Sequence, residues 1–189
     1  MSPRVPPLLP ADLTPEQTAV YQSIVGGPRA QGPRLFDLTD ARGRLNGPFG
    51  AMLIAPQVGG ALQALGVAVR YGTSLNDRVR ELAILAVATH WGSAFERYAH
   101  EAVGRAAGLS EQEIAALRDS SSQPFDEPRE LASLNVVRAL LEGADLDDLT
   151  YSDAASQLSA QELVELTTLV GYYSTLALLM RVLRTDLVD

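Results

Sequence analysis

From residue 51 to the end of the chain, apolar residues recur every three or four positions, and no stretch alternates apolar and polar residues by twos. A helix gathers such residues on one face, whereas a half-buried strand needs the alternation. That pattern restricts the chain to an all-α fold, and start and stop signals divide it into about seven helices. Thr14-Pro15-Glu16-Gln17 reads as a capped start with proline in the first turn, for a helix running to Val25 and ending at Gly26-Gly27-Pro28. Further helices are expected over about 56–71, 76–91, 94–107, 110–119, 126–141 and 159–184, with Ser110 to Glu113 and Ser159 to Glu162 as capping boxes and Asp126 as a cap. Pro3, Pro6, Pro7 and Pro10 make the first residues an extended arm. Residues 28–50 read as a long ordered loop, whose Leu35, Phe36, Leu38, Leu45 and Phe49 need a surface to pack on. The expected division is therefore 1–50, holding arm, first helix and loop, and 51–189, a helical domain.

Composition narrows the chemistry. With 47% apolar residues the chain can build a core, and a formal charge of −8 without any basic stripe argues against nucleic acid and anionic membranes as partners. Cysteine is absent, which removes disulfides, thiolate metal sites and thiol nucleophiles. Only His90 and His100 could supply imidazole, so neither metal nor other cofactor is expected. The most apolar run, 166–180, is shorter than the roughly 20 residues needed to cross a bilayer and reads as a buried helix. The N-terminus lacks the apolar stretch of a signal peptide, and a cytoplasmic protein is the expectation.

Residues 78–117 carry the functional signal. They form two expected helices joined at Trp91-Gly92-Ser93, with Glu81 early on the first and Glu96 and His100 four apart on one face of the second. A carboxylate beside an imidazole can orient the ring and stabilise its charged form. Each residue also has a plainer reading. Ser93 and Glu96 match a capping box, Glu96 with His100 matches a surface pair, and Glu81 suits a helix's first turn. Trp91 is most simply core, and His90 sits at a helix end, where a cation is favoured without catalysis. Glu81 precedes Gly92 by eleven residues and His100 follows it by eight. In a simple antiparallel hairpin those offsets are roughly 16 and 12 Å of helix. The two are then about a turn out of register, leaving open direct contact or a bridging water.

The same window resembles the carboxymuconolactone decarboxylase family, which includes the AhpD-like alkylhydroperoxidases. AhpD-like members carry a Glu, twelve residues later Cys-x-x-Cys, and a His four further on. Glu81 and His100 match the Glu and His, while Ser93 and Glu96 stand where the two thiols would be. The decarboxylases carry Glu-x-x-x-His there, which Glu96-Arg-Tyr-Ala-His100 matches, but tend to have His at the position of Ser93. Arg-Glu-Leu at 80–82, Ala-Ala-Gly-Leu-Ser at 106–110 and GPFGAMLIAPQVG at 47–59 agree as well.

The resemblance implies an AhpD-like helical fold and a homo-oligomer, trimer or hexamer. It also implies acid/base chemistry, decarboxylation or a related proton transfer, on a small carboxylate or lactone. His100, Glu96 and Glu81 would be catalytic, with Ser93 and Trp91 against the substrate. The contrasting expectation is a non-catalytic helical oligomer with a vestigial site. Thiol peroxidase activity is ruled out, since no residue can form a sulfenate or disulfide.

Overall fold

The computed structural model describes residues 3–31, 35–119 and 125–185. Among these are nine α-helices: α1 Pro15–Val25, α2 Pro48–Ile54, α3 Pro56–Tyr71, α4 Asp77–Trp91, α5 Ala94–Ala106, α6 Glu111–Arg118, α7 Pro128–Gly143, α8 Asp148–Gln157 and α9 Ala160–Leu183. The only β pairing among the described residues is a single antiparallel bridge, Thr39 to Leu45. The all-α expectation holds, with two more helices than expected. α8 has one buried residue, Ala154, so its sequence shows almost no apolar face. α2 starts inside the segment read as loop, because Gly47-Pro48 places proline at its first position.

α4 is the central helix, packed against α5, α6, α7 and α9. Val79, Leu82, Ala83, Ile84, Leu85, Val87 and Ala88 are all buried, the mark of a helix enclosed on every side. The main core joins α4 and α9 to Val20 and Ile24 of α1 and to Met52 and Leu53 of α2. A smaller cluster of Leu82, Leu85, Leu109, Ile114, Leu117 and Leu134 seals α4 against α6 and α7. α9 is long and apolar enough to span a membrane by length and composition. Its inward face, including Leu166, Leu169, Tyr172, Tyr173, Leu176 and Met180, is nevertheless buried in this core.

The capping boxes at Thr14, Ser110 and Ser159 are formed. Two expected caps differ. Glu127, not Asp126, accepts the Glu130 N–H at the start of α7. Ser93 occupies the cap position of α5 but makes no side-chain capping bond, so the capping box with Glu96 is not built. Of the apolar loop residues, Leu45 and Phe49 are buried, Phe36 and Leu38 pack partly against the core, and Leu35 stays 37% exposed. The arm reaches the far end of the fold, where Arg4 donates from its backbone to the Leu183 carbonyl (2.9 Å) and from Nη1 to the Val182 carbonyl (2.8 Å), satisfying last-turn carbonyls of α9.

The turn between α4 and α5 sets the site. Gly92 has φ +64, the left-handed region, and its N–H caps carbonyls of the last turn of α4. A Cβ there would meet nothing within 4 Å, so Gly92→Ala isolates the backbone cost. A loss of about 1–2 kcal/mol is expected in denaturant unfolding. A variant as stable as the wild type would show that the turn relaxes to another conformation.

Candidate functional site

α5 presents Phe95, Glu96, Ala99, His100 and Gly104 inward, an apolar face interrupted by two polar residues. Glu96 is 2% and His100 4% exposed, and Glu81 on α4 is fully buried. The plain reading of Glu96 and His100 as a solvated surface pair is therefore set aside. His100 Nδ1 lies 2.6 Å from Glu81 Oε2, a direct hydrogen bond rather than a water bridge. Of the two arrangements that the offsets about Gly92 left open, direct contact is the one formed.

Around this pair stand three further elements. Arg70, next to last in α3, places Nη1 3.4 Å from His100 Nε2 and Nη2 3.9 Å from Glu81 Oε1. Arg80 Nε lies 3.8 Å from the same Glu81 oxygen. The Tyr173 ring meets the His100 ring edge-on at 5.1 Å, and Tyr172 meets Tyr173 in the same way at 5.2 Å. Arg29, in the short 3-10 turn Pro28–Ala30, donates to Gln63 Oε1 (2.5 Å) and to the Tyr172 hydroxyl (3.4 Å). Gly66 leaves the room they need, since a Cβ there would collide with the Tyr172 hydroxyl and the Arg29 guanidinium.

The electrostatics assign protonation states. Burial works against the Glu81 charge, but the His100 imidazole with Arg70 and Arg80 outweighs it and holds the carboxyl below its ordinary pKa. Burial pushes the His100 imidazole below its ordinary value; Arg70 and Arg29 add to that against Glu81. At neutral pH the pair is thus a carboxylate and a neutral imidazole. Nδ1–H then donates to Glu81, and Nε2 keeps its lone pair, turned toward Arg70. Burial also raises Tyr172 and Tyr173, so both hydroxyls stay protonated.

Two chambers meet here. The inner one, about 20 Å³, is lined by Glu96, His100, Arg29, Arg70 and the two tyrosines, with Phe36, Phe49 and Phe95 forming an aromatic wall. It has room for one water, which needs roughly 10–15 Å³. The outer chamber, about 410 Å³, has Val25, Leu35, Leu38, Tyr71 and Val103 on its walls and shares Arg29, Phe36 and Arg70 with the inner one. Its size suits a small molecule, whose pockets run from roughly 300 to 1,000 Å³.

Of the five candidates from the sequence, Glu81 and His100 are bonded, and Glu96 lines the inner chamber beside His100. Ser93 is buried but does not line either chamber. Trp91 also stands apart, its Nε1 donating to Ser174 Oγ at 2.9 Å. His90 is exposed at the end of α4 and borders a separate depression with Arg138 and Glu142. Among the described residues, no three His, Cys, Asp or Glu gather as a metal site. Sequence reasoning missed Arg29, Arg70, Tyr172 and Tyr173. One signal was there to find: Arg70 is the only charged residue in the sixteen of α3.

Solved structures share this architecture. The alkylhydroperoxidase AhpD core from Ralstonia eutropha JMP134, an uncharacterized peroxidase-related protein, superposes with a TM-score of 0.76 at 12% identity, over 97% of this chain and 90% of that one. A cysteine-to-alanine variant of the debrominase Bmp8, in complex with 2,3,4-tribromopyrrole, gives 0.71 at 14% identity, over 98% and 91%. A protein of unknown function from Agrobacterium tumefaciens, described as a putative antioxidant defence protein AhpD, gives 0.65 at 26% identity, over 71% and 92%. The fold is therefore AhpD-like. No curated protein matches the chain in sequence. The carboxymuconolactone decarboxylase family profile matches residues 56–139, a stretch that in this chain holds no cysteine.

Proposed function

We propose that this protein is a small-molecule enzyme in which the Glu81–His100 pair moves protons, in a decarboxylation or related proton transfer on a small carboxylate or lactone. The observation that carries this reading is the 2.6 Å bond between a buried carboxylate and a buried imidazole that lines a chamber. Glu81 fixes the tautomer and stabilises the imidazolium when it forms. A neutral His100 acts first as a base: Nε2 takes the proton of the substrate's carboxylic acid group. In decarboxylation the carboxylate C–C bond breaks, CO2 leaves and the electron pair passes into the conjugated system. Protonated His100 then returns its proton to carbon. Glu96, beside it on α5, is the second group able to relay that proton.

The experiment is a turnover screen of lactones and unsaturated carboxylic acids, with His100→Ala as the control. A substrate consumed by the wild type and not by the variant supports the proposal. Equal rates for both, or no turnover across the set, would favour a non-catalytic helical oligomer.

Assembly belongs to the same reading. Val58 and Leu65 on α3 and Val164, Leu178 and Val182 on α9 stay exposed, and apolar surface of this kind commonly marks subunit contacts. Light scattering at micromolar concentration should give a trimer or hexamer. A particle of 20.2 kDa, one chain, would refute it.

A further inference from the structure

Arg70 is a buried cation whose donors are poorly used. It is 8% exposed, and its guanidinium meets His100 Nε2 at a long 3.4 Å, Glu81 at 3.9 Å, the Tyr173 hydroxyl and, 5.5 Å away, the Tyr71 ring. Its Nε finds no hydrogen-bond partner among the described residues. A guanidinium offers five N–H donors in a planar fork, and a buried donor left unmade is costly. Arg70 also lines both chambers, so it stands at the neck between them, with Arg29 as a second cation. The outer walls are largely apolar, and the Glu96 carboxyl borders the inner chamber. An anion is thus best seated on the outer side of the guanidinium.

We propose that Arg70 is both the anchor for a ligand's carboxylate and a latch on His100. In this structure its Nη1 stands against Nε2 and occupies the lone pair that the base needs. A carboxylate with an apolar body, entering the outer chamber, offers a charged acceptor. Bonds to charged groups are roughly twice as strong as neutral ones, and a 3.4 Å contact is at the weak end. The guanidinium turns to the carboxylate and Nε2 is released, so the base is uncovered only when a ligand is present. This rests on the reading of the site as a small-molecule pocket, but it can be measured without turnover.

The groups facing the imidazole are Glu81 on α4, Arg70 on α3, Tyr173 on α9, Arg29 after α1 and Glu96 on its own helix. The chain has only two histidines, and His90→Gln leaves His100 as the one imidazole to follow by nitrogen NMR. Benzoate serves as the probe and benzamide as its neutral counterpart. Benzoate should shift the His100 Nε2 signal saturably and raise the pH at which it titrates, because a bound carboxylate offsets the Arg70 field; benzamide should do neither. Arg70→Gln should weaken benzoate binding about tenfold or more. Arg70→Lys, which keeps the charge without the planar fork, should fall between and guards against mere loss of folding. Benzoate binding equally well to Arg70→Gln, binding without moving the His100 signal, or not binding at all would each overturn the proposal. Turnover that survives such a result would leave the proton-transfer reading standing, while anion binding in a protein without turnover would leave only the latch.

Discussion

Replacing Glu81 with alanine is expected to destabilise the protein by about 3–5 kcal/mol, the usual cost of removing one partner from a buried ion pair. Glu81 is fully buried, bonds His100 at 2.6 Å and lies within 4 Å of Arg70 and Arg80. Without it, the Arg70 guanidinium stays in the core and loses its Glu81 partner. Removing both charges together, as Glu81→Leu with Arg70→Met, should recover most of the loss, since apolar replacement of a buried pair is often neutral or stabilising. Denaturant unfolding of the two variants checks this. A Glu81→Ala loss below about 1 kcal/mol would mean that water reaches the pair and screens it. The same groups set the acid response. His100 has a folded pKa below its ordinary 6.5, so as pH falls past that value the unfolded chain takes up a proton that the folded one refuses, and stability declines. Glu81, also depressed, adds a further loss below its ordinary 4.5. Both effects have one sign, and His100→Gln should flatten the first of them.

His100→Gln is expected to lower turnover about 10²–10⁴-fold on whichever substrate the screen finds, the usual contribution of a positioned acid/base group. Glutamine keeps a donor for Glu81, so the loss reports proton transfer more than collapse of the pocket. Activity of the wild type should fall on the acid side as the imidazole becomes protonated, because the resting base is then blocked. Below ordinary histidine range is where that limb belongs, given the burial of His100 with Arg70 and Arg29 nearby. Glu96→Gln should cost less, as Glu96 borders the chamber while Glu81 bonds the ring. A His100→Gln enzyme with unchanged kcat/KM would move the chemistry to another group, with Glu96 next in line.

Local signals explain what was legible from sequence and what was not. The helices with an apolar stripe and a capping residue, α1, α4, α6 and α9, and α3 with its leading Pro56, begin within a residue or so of where those signals place them. α8 escaped because a mostly exposed helix needs no apolar stripe. The Ser93 to Glu96 spacing looked like a cap, yet Ser93 makes no capping bond and Glu96 is buried beside the chamber. Spacing cannot tell a backbone partner from a cavity wall when both place a carboxylate at the third position of a helix.

Helical class, the absence of thiol chemistry and the placement of Glu96 and His100 on one helix face can be read from the chain alone, because periodicity, residue identity and an i, i+4 offset are all local. The tertiary structure alone decided that His100 bonds Glu81 directly, that Arg70 and Arg29 stand at the neck between two chambers, and that the imidazole rests neutral. Those outcomes depend on how α3, α4, α5 and α9 pack around one another and on the left-handed turn at Gly92. Charge state and contact in a core are set by groups far apart in the chain, and no local pattern encodes the distance between them.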